Sequence, residues 1–364
     1  MTRCLVPFFC GLLLCAGGVL DPAQAQGSKA AAQVHIDKAK AAAYRPGNSL
    51  MTLYEAMCEP ALAAQPPAEL PPNDGGRPAP SLAQRQVPPR AEWYAEPAKV
   101  FDNLYWLGSH GDAFHIPQIF GDSTWAVKTS EGLILIDTGN DYSAKELITD
   151  GLKKLGEDPA QIKYVILSHT HGDRYFGSKY IQDAYHARVI MSEADWTTMA
   201  KSNEPVELRP KKDMVATDGM KLMLGDTTLT IYLTPGHTPG TISTLVPLQD
   251  GNERHVGAVW GGIAPSLARY GVRYFKNWDE TLKTWSASAA RFQDIAAKAG
   301  ADTYLTIHPS YDGALEKIHA LKYRKPGDPH PMVNKDNLNR FLTIIKECTD
   351  AQLARVAESP VLTR

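Results

Sequence analysis

Strong charge of either sign is missing from this chain of 364 residues, whose formal net charge is -2. No basic footprint exists for a nucleic acid or an anionic membrane, which excludes both as expected partners. Internal repeats, long low-complexity tracts and charge blocks are also missing, so a solenoid or a solvated tail is not expected. Beyond the extreme N-terminus no apolar run is long enough to span a bilayer. Cysteine is scarce. Of five residues, Cys4, Cys10 and Cys15 fall in the N-terminal apolar run, and only Cys58 and Cys348 lie beyond it.

What is present begins with a targeting pattern. "MTR" supplies a positive start, "CLVPFFCGLLLCAGGVL" an apolar core, and "AQA" at residues 23–25 the small residues of a cleavage site. This pattern predicts a secretory signal peptide over residues 1–25, cut after Ala25, and a periplasmic or secreted mature protein. The apolar run is short for a spanning helix, so no stable membrane anchor is expected. Leu14, bulky where a lipid-attachment signal carries a small residue, speaks against acylation of Cys15. In an oxidising compartment Cys58 and Cys348 invite a disulfide joining an N-terminal extension to a C-terminal helix. Two separate thiols are the alternative, since spacing alone does not bring them together.

Residues 26–99 read as that extension. "VHIDKAKAAAY" and "LMTLYEAMCEPAL" are short helices, and prolines then recur from Pro60 to Pro97. Such a stretch loses backbone donors and suits an extended strap or a loose tether. From Val100 the texture changes to short β-rich runs, "NLYWLG", "STWAVKTS" and "LILIDTG". A helix follows, with Ser143 as its cap and Gly156 as its stop. Further alternation ends with "TYLTIH", read as a strand reaching His308, and two closing helices. The pattern predicts an α/β (α+β) domain over 100–330, with two packed sheets and helices outside, and a helical segment over 331–364.

Metal-type side chains fall after predicted strands. Asp137 ends "LILIDTG"; His169, His171 and Asp173 follow "YVIL"; His237 follows "LTIYLTPG"; His308 follows "TYLTI". A catalytic zinc site needs about three protein ligands and an open position for water. His169, His171 and His237 can supply them, leaving Asp173 and His308 for a second ion. His110, His115, His186, His255, His319 and His330 lack such a context. His110 and His115 flank a loop placed to cover the site. Trp260 reads as core and Thr238 as a plain turn residue, with support of the His237 loop as its other reading.

"HTHGD", "PGHTPG", "LIDTG" and "LTIHP", in this order, resemble the metallo-β-lactamase superfamily over roughly Val100 to Tyr323, most closely the zinc β-lactamases whose ligands are all histidine and aspartate. The resemblance implies an αββα sandwich with metal at one edge. His169, His171 and His237 would hold the first Zn(2+), Asp173 and His308 a second, and Asp137 would brace the site without binding metal. Two departures stand out. The residue after Asp173 is Arg174 where that subclass carries a histidine ligand. The run "GAVWGGIAPS" has Gly261 and Gly262 where other members carry a cysteine or an aspartate. One zinc ion is therefore expected, with the second left open.

Arginine cannot bind a metal. Arginine can supply fixed positive charge and can grip a substrate carboxylate, and Arg174 admits three readings: replacing the charge of a missing ion, standing outside a weak second site that water or another residue completes, or marking lost catalysis. The implied function is hydrolysis of a small-molecule substrate, a metal-bound hydroxide attacking a carbonyl with Asp173 and Arg174 as catalytic residues. β-Lactam ring opening is the leading expectation. Lactone, ester or thioester hydrolysis and non-catalytic zinc binding are the alternatives.

Overall fold

The computed structural model describes residues 22–46, 49–63, 87–110, 121–202, 204–263 and 278–356. Most of the signal segment, the proline-rich stretch over 64–86, the loop containing His115 and the continuation of "WGGIAPSLARYG" past Ile263 lie outside the described residues. The first sheet has seven strands in chain order: β1 (Ala98–Phe101), β2 (Leu104–Trp106), β3 (Trp125–Thr129), β4 (Gly132–Ile136), β5 (Ile162–Ile166), β6 (Arg188–Ser192) and β7 (Met214–Ala216). Pairing is antiparallel from β1 to β4 and parallel from β4 to β7. Parallel neighbours need crossovers, and helical segments supply them over 141–154, Ser178–Tyr185 and Glu193–Lys201.

The second sheet runs β12-β11-β10-β9-β8, with β8 (Met220–Leu224), β9 (Thr227–Leu233), β10 (Ile242–Asp250), β11 (Glu253–Val259) and β12 (Thr303–Tyr304). All its pairs are antiparallel except β11 with β12. The strand expected to run through "TYLTIH" thus ends at Tyr304, and His308 sits in the irregular segment beyond it. A hydrogen bond from Ile242 N to Ser168 O (2.9 Å) ties the start of β10 to the loop after β5, joining the sheets at the site edge.

Alternation along each strand builds the layers. Ile134 and Ile136 of β4, Ile166 of β5 and Ile190 of β6 enter the core that includes the second sheet. Leu133, Leu135, Val165, Val189 and Met191 face the opposite way, into the core under the crossover helices. Both faces are covered, so these strands read as continuous apolar runs. The helix after β4 is capped from Asn140 rather than Ser143, which lies inside its first turn. It has a π-helical middle over Lys145–Asp150, and Gly156, at φ +81°, follows its end.

The N-terminal helices Pro22–Ala43 and Met51–Ala63 belong to the packed body. Ile36, Ala39, Leu53 and Met57 join the same core as the C-terminal helix Lys335–Val356. Arg340 donates to Ala42 O (2.6 Å) and Ala43 O (2.9 Å), satisfying carbonyls at the end of the first helix. Cys58 and Cys348 form a disulfide, with Cα atoms 4.9 Å apart.

Candidate metal centre

His169 and His171 lie in the loop after β5, and His237 in the turn after β9. Their rings stand edge to face, with centroids 4.3–4.6 Å apart. Nε2 of His237 is 3.1 Å from Nε2 of His169 and 3.1 Å from Nδ1 of His171. Gly261 O accepts from Nδ1 of His169 at 2.7 Å. A carbonyl offers no hydrogen, so this contact assigns the proton to Nδ1 and leaves the Nε2 lone pair facing the other rings. Burial, with His237 alongside, holds the His169 and His171 imidazoles well below their usual range. Neutral rings that aim lone pairs at one another fit a zinc ion, which takes histidine nitrogens tetrahedrally with one position open. His169 is buried; His171 and His237 are half-buried, so the group can be approached from outside.

Asp137, fully buried, braces the loop from below. It takes φ +59°, a left-handed conformation that aspartate tolerates better than most residues. Its carboxylate accepts from Ser168 N (2.7 Å) and Ser168 Oγ (2.8 Å). Burial lifts its pKa to about 6, with Arg174 opposing the rise.

Asp173 and His308 come together beside the histidines, and the structure adds Asp122. A potential ligand atom from each of these three lies within 4.8 Å of the others. His308 Nδ1 is 3.0 Å from Gly121 O, which must accept its hydrogen, and Nε2 is 3.6 Å from Asp173 Oδ2. Arg174 is wholly buried among these groups. It donates to Asp122 Oδ1, to Asp173 Oδ2 (2.7 Å from Nη2, 3.2 Å from Nε) and to Ile307 O (2.8 Å from Nη1). Against burial, which raises it, Arg174 and then His308 hold the Asp173 carboxyl well below the usual carboxylate range. The expected grip of Arg174 on a substrate carboxylate is not what this geometry offers, because the guanidinium is enclosed and its donors are engaged by protein oxygens.

Gly261 and Gly262 have a steric reason. A Cβ on Gly261 would lie 1.8 Å from Ile242 O, and one on Gly262 would lie 2.3 Å from Cβ of His237. With this backbone neither position accepts a cysteine or an aspartate.

Two site residues escaped the sequence reading. Asp122 sits in "DSTWAV" with no spacing rule to mark it. Asp195 resembles an ordinary capping-box acid three residues after Ser192, and Ser192 Oγ does accept from Asp195 N (3.2 Å). The Asp195 carboxylate instead accepts from Thr170 N (3.0 Å), Gly240 N (2.8 Å) and Thr238 Oγ1 (2.7 Å), clamping the two histidine loops together. Thr238 is therefore more than the plain turn residue expected. His110 is exposed, while Trp260 is core as expected.

The chain is similar to known proteins. The model of the Metallo-beta-lactamase superfamily matches residues 119–250. Among solved structures, BJP-1, a subclass B3 metallo-beta-lactamase of Bradyrhizobium japonicum, is 28% identical at a TM-score of 0.60, over 72% of this chain and 96% of that one. FEZ-1 from Legionella gormanii shares the fold at 21% identity and a TM-score of 0.60, over 73% of this chain and 98% of that one. Among curated proteins, the N-acyl homoserine lactonase AttM of Agrobacterium fabrum is 37% identical over 109 residues, which are 27% of this chain and 41% of AttM. The chain thus spans less than half the length of that relative. Two sheets between helices, three imidazoles gathered at their common edge and the matched segment lead to one assignment: the chain carries a metallo-beta-lactamase superfamily domain.

Proposed function

We propose that this chain is a secreted, zinc-dependent hydrolase that opens a β-lactam ring. The observation that carries the reading is the convergence of Nε2 of His169, Nδ1 of His171 and Nε2 of His237. Zinc, when bound, supplies a water activated near neutral pH and a Lewis acid for a carbonyl. His169, His171 and His237 would hold it, and Gly261 O orients the first of these rings. Asp173, kept ionised by Arg174, would orient a water beside the histidines as a hydrogen-bond acceptor, and His308 Nε2, 3.6 Å from it, offers the lone pair that can take a proton. The β-lactam assignment draws support from the likeness to BJP-1 across nearly its whole length.

A lactone is the second reading, favoured by the identity with the N-acyl homoserine lactonase AttM. Both substrates present a cyclic acyl carbonyl, so the same metal chemistry serves either. Turnover of a penicillin, a carbapenem and an N-acyl homoserine lactone by the purified protein, with added zinc and then with chelator, tests both. The expected result is penicillin or carbapenem opening that chelator abolishes. Chelator-sensitive turnover of the lactone alone would transfer the assignment to the ester. Failure on all three by folded, zinc-loaded protein would defeat both.

A further inference from the structure

We propose that Arg174 is a built-in cation occupying the place of a second metal ion, so that this chain works with a single zinc. The inference rests on the reading of His169, His171 and His237 as the metal site and adds a limit of one ion to it. Among the described residues, Asp122, Asp173 and His308 form a second group of potential ligands beside those histidines, and their donor atoms are close enough together to surround one cation. That central position is taken. Nη2 of Arg174 bonds Asp122 Oδ1, lies 2.7 Å from Asp173 Oδ2 and 3.5 Å from His308 Nδ1. His308 Nδ1 gives its hydrogen to Gly121 O, so the lone pair of this ring is on Nε2, turned towards Asp173, and the contact of Nδ1 with Nη2 is an approach without a hydrogen bond.

The guanidinium is held from every side. Nε reaches Asp173, Nη1 reaches Ile307 O at 2.8 Å, and Asp137 Oδ2 lies 3.5 Å from Nη1. Three aspartates thus surround one permanent positive charge in a fully buried position. A guanidinium stays protonated in a protein, so its charge cannot be lost to make room for an ion. A divalent ion here would meet like charge at close range in a weakly screened interior. Admitting the ion would mean extracting the guanidinium and leaving its carboxylates unpaired, a costly change in a buried network. Gly261 and Gly262, just after β11, supply no replacement ligand, because neither has space for a side chain.

Metal stoichiometry tests this on the full mature chain, loaded with excess zinc, freed of loose metal and assayed for zinc per folded chain. The wild type is expected to retain one equivalent, and the visible absorbance of a cobalt(II) titration to plateau at one. Arg174→His, which adds an imidazole and removes the cation, is expected to retain two equivalents, and Arg174→Lys one. Two tightly held equivalents in the wild type would overturn the inference and leave the histidine site standing. One equivalent in folded Arg174→His would overturn the claim that the guanidinium is what excludes the second ion. No retained zinc or cobalt in the wild type would instead defeat the underlying reading of the three histidines. If Arg174→His does not fold, the wild-type zinc and cobalt counts decide alone.

Discussion

At the scale of the residue, Asp195 shows how a side chain remote from any substrate can govern a site. It is wholly buried and accepts three hydrogen bonds from the two loops that carry the histidines. An asparagine would present an amide N–H to one of those donors, so Asp195→Asn is expected to lose about 1–3 kcal/mol of stability. Zinc affinity should fall about 10–100-fold, as when other supports of metal ligands are removed. Competition against a chromophoric chelator measures that loss, and unchanged zinc affinity in the variant would contradict the clamp. The same residue has a pH signature. Burial raises its carboxyl from 3.8 to about 7, with Thr238, Gly240 and Thr170 opposing the rise. The folded state therefore keeps this proton more tightly than the unfolded chain. The stabilisation is complete below the ordinary value and is lost as pH rises through about 7. Asp137 adds the same sign up to about 6. Chemical unfolding from pH 4 to 8 should show a shallower fall in Asp195→Asn than in the wild type.

At the scale of the element, the disulfide decides how firmly the N-terminal helices are held. Cys58 and Cys348 lie 290 residues apart in sequence, so their bond restricts the unfolded chain across most of its length. Replacing Cys58 by serine is expected to cost about 2–5 kcal/mol and lower the thermal midpoint, with reductant producing the same shift in the wild type. A midpoint indifferent to both would mean that packing of Ile36, Leu53 and Met57 suffices. The helices themselves were legible as "VHIDKAKAAAY" and "LMTLYEAMCEPAL", and most strands as alternating or apolar runs. The cap at Asn140 was less legible because Ser143 offered an equally good cap chemistry one turn later. The break after Tyr304 was illegible because "LTI" reads as strand; in the fold the chain leaves the sheet there to bring His308 to Gly121.

At the scale of the whole molecule, the sheets and their covering helices bring loops from β4, β5, β9, β11 and β12 to one edge, and the site is the meeting of those loops. The proposed secretion belongs to this scale too, since a disulfide suits an oxidising compartment. The first helix, Pro22–Ala43, runs across the proposed cleavage point after Ala25. Intact mass of the protein exported by its host should correspond to a chain starting at Gln26. A mass that retains the N-terminal apolar run would instead indicate an uncleaved chain.

Sequence by itself pointed to two packed sheets with helices outside, because strand alternation and helix periodicity are local patterns, and its motifs resemble a family whose fold is an αββα sandwich. It also marked His169, His171 and His237 as candidate zinc ligands, the first two by their i and i+2 spacing after a strand and His237 by its place after another strand and by the resemblance. Tertiary structure alone decided what Arg174 does. Its partners Asp122, Asp137 and Ile307 O lie far from it along the chain, and one of them, Ile307 O, is a carbonyl of the kind that every residue possesses. The same holds for Asp195 and for Gly261 O beside His169. A contact made by a backbone atom or across distant segments leaves no periodicity to read, and only the packing of the two sheets brings its partners within hydrogen-bond range.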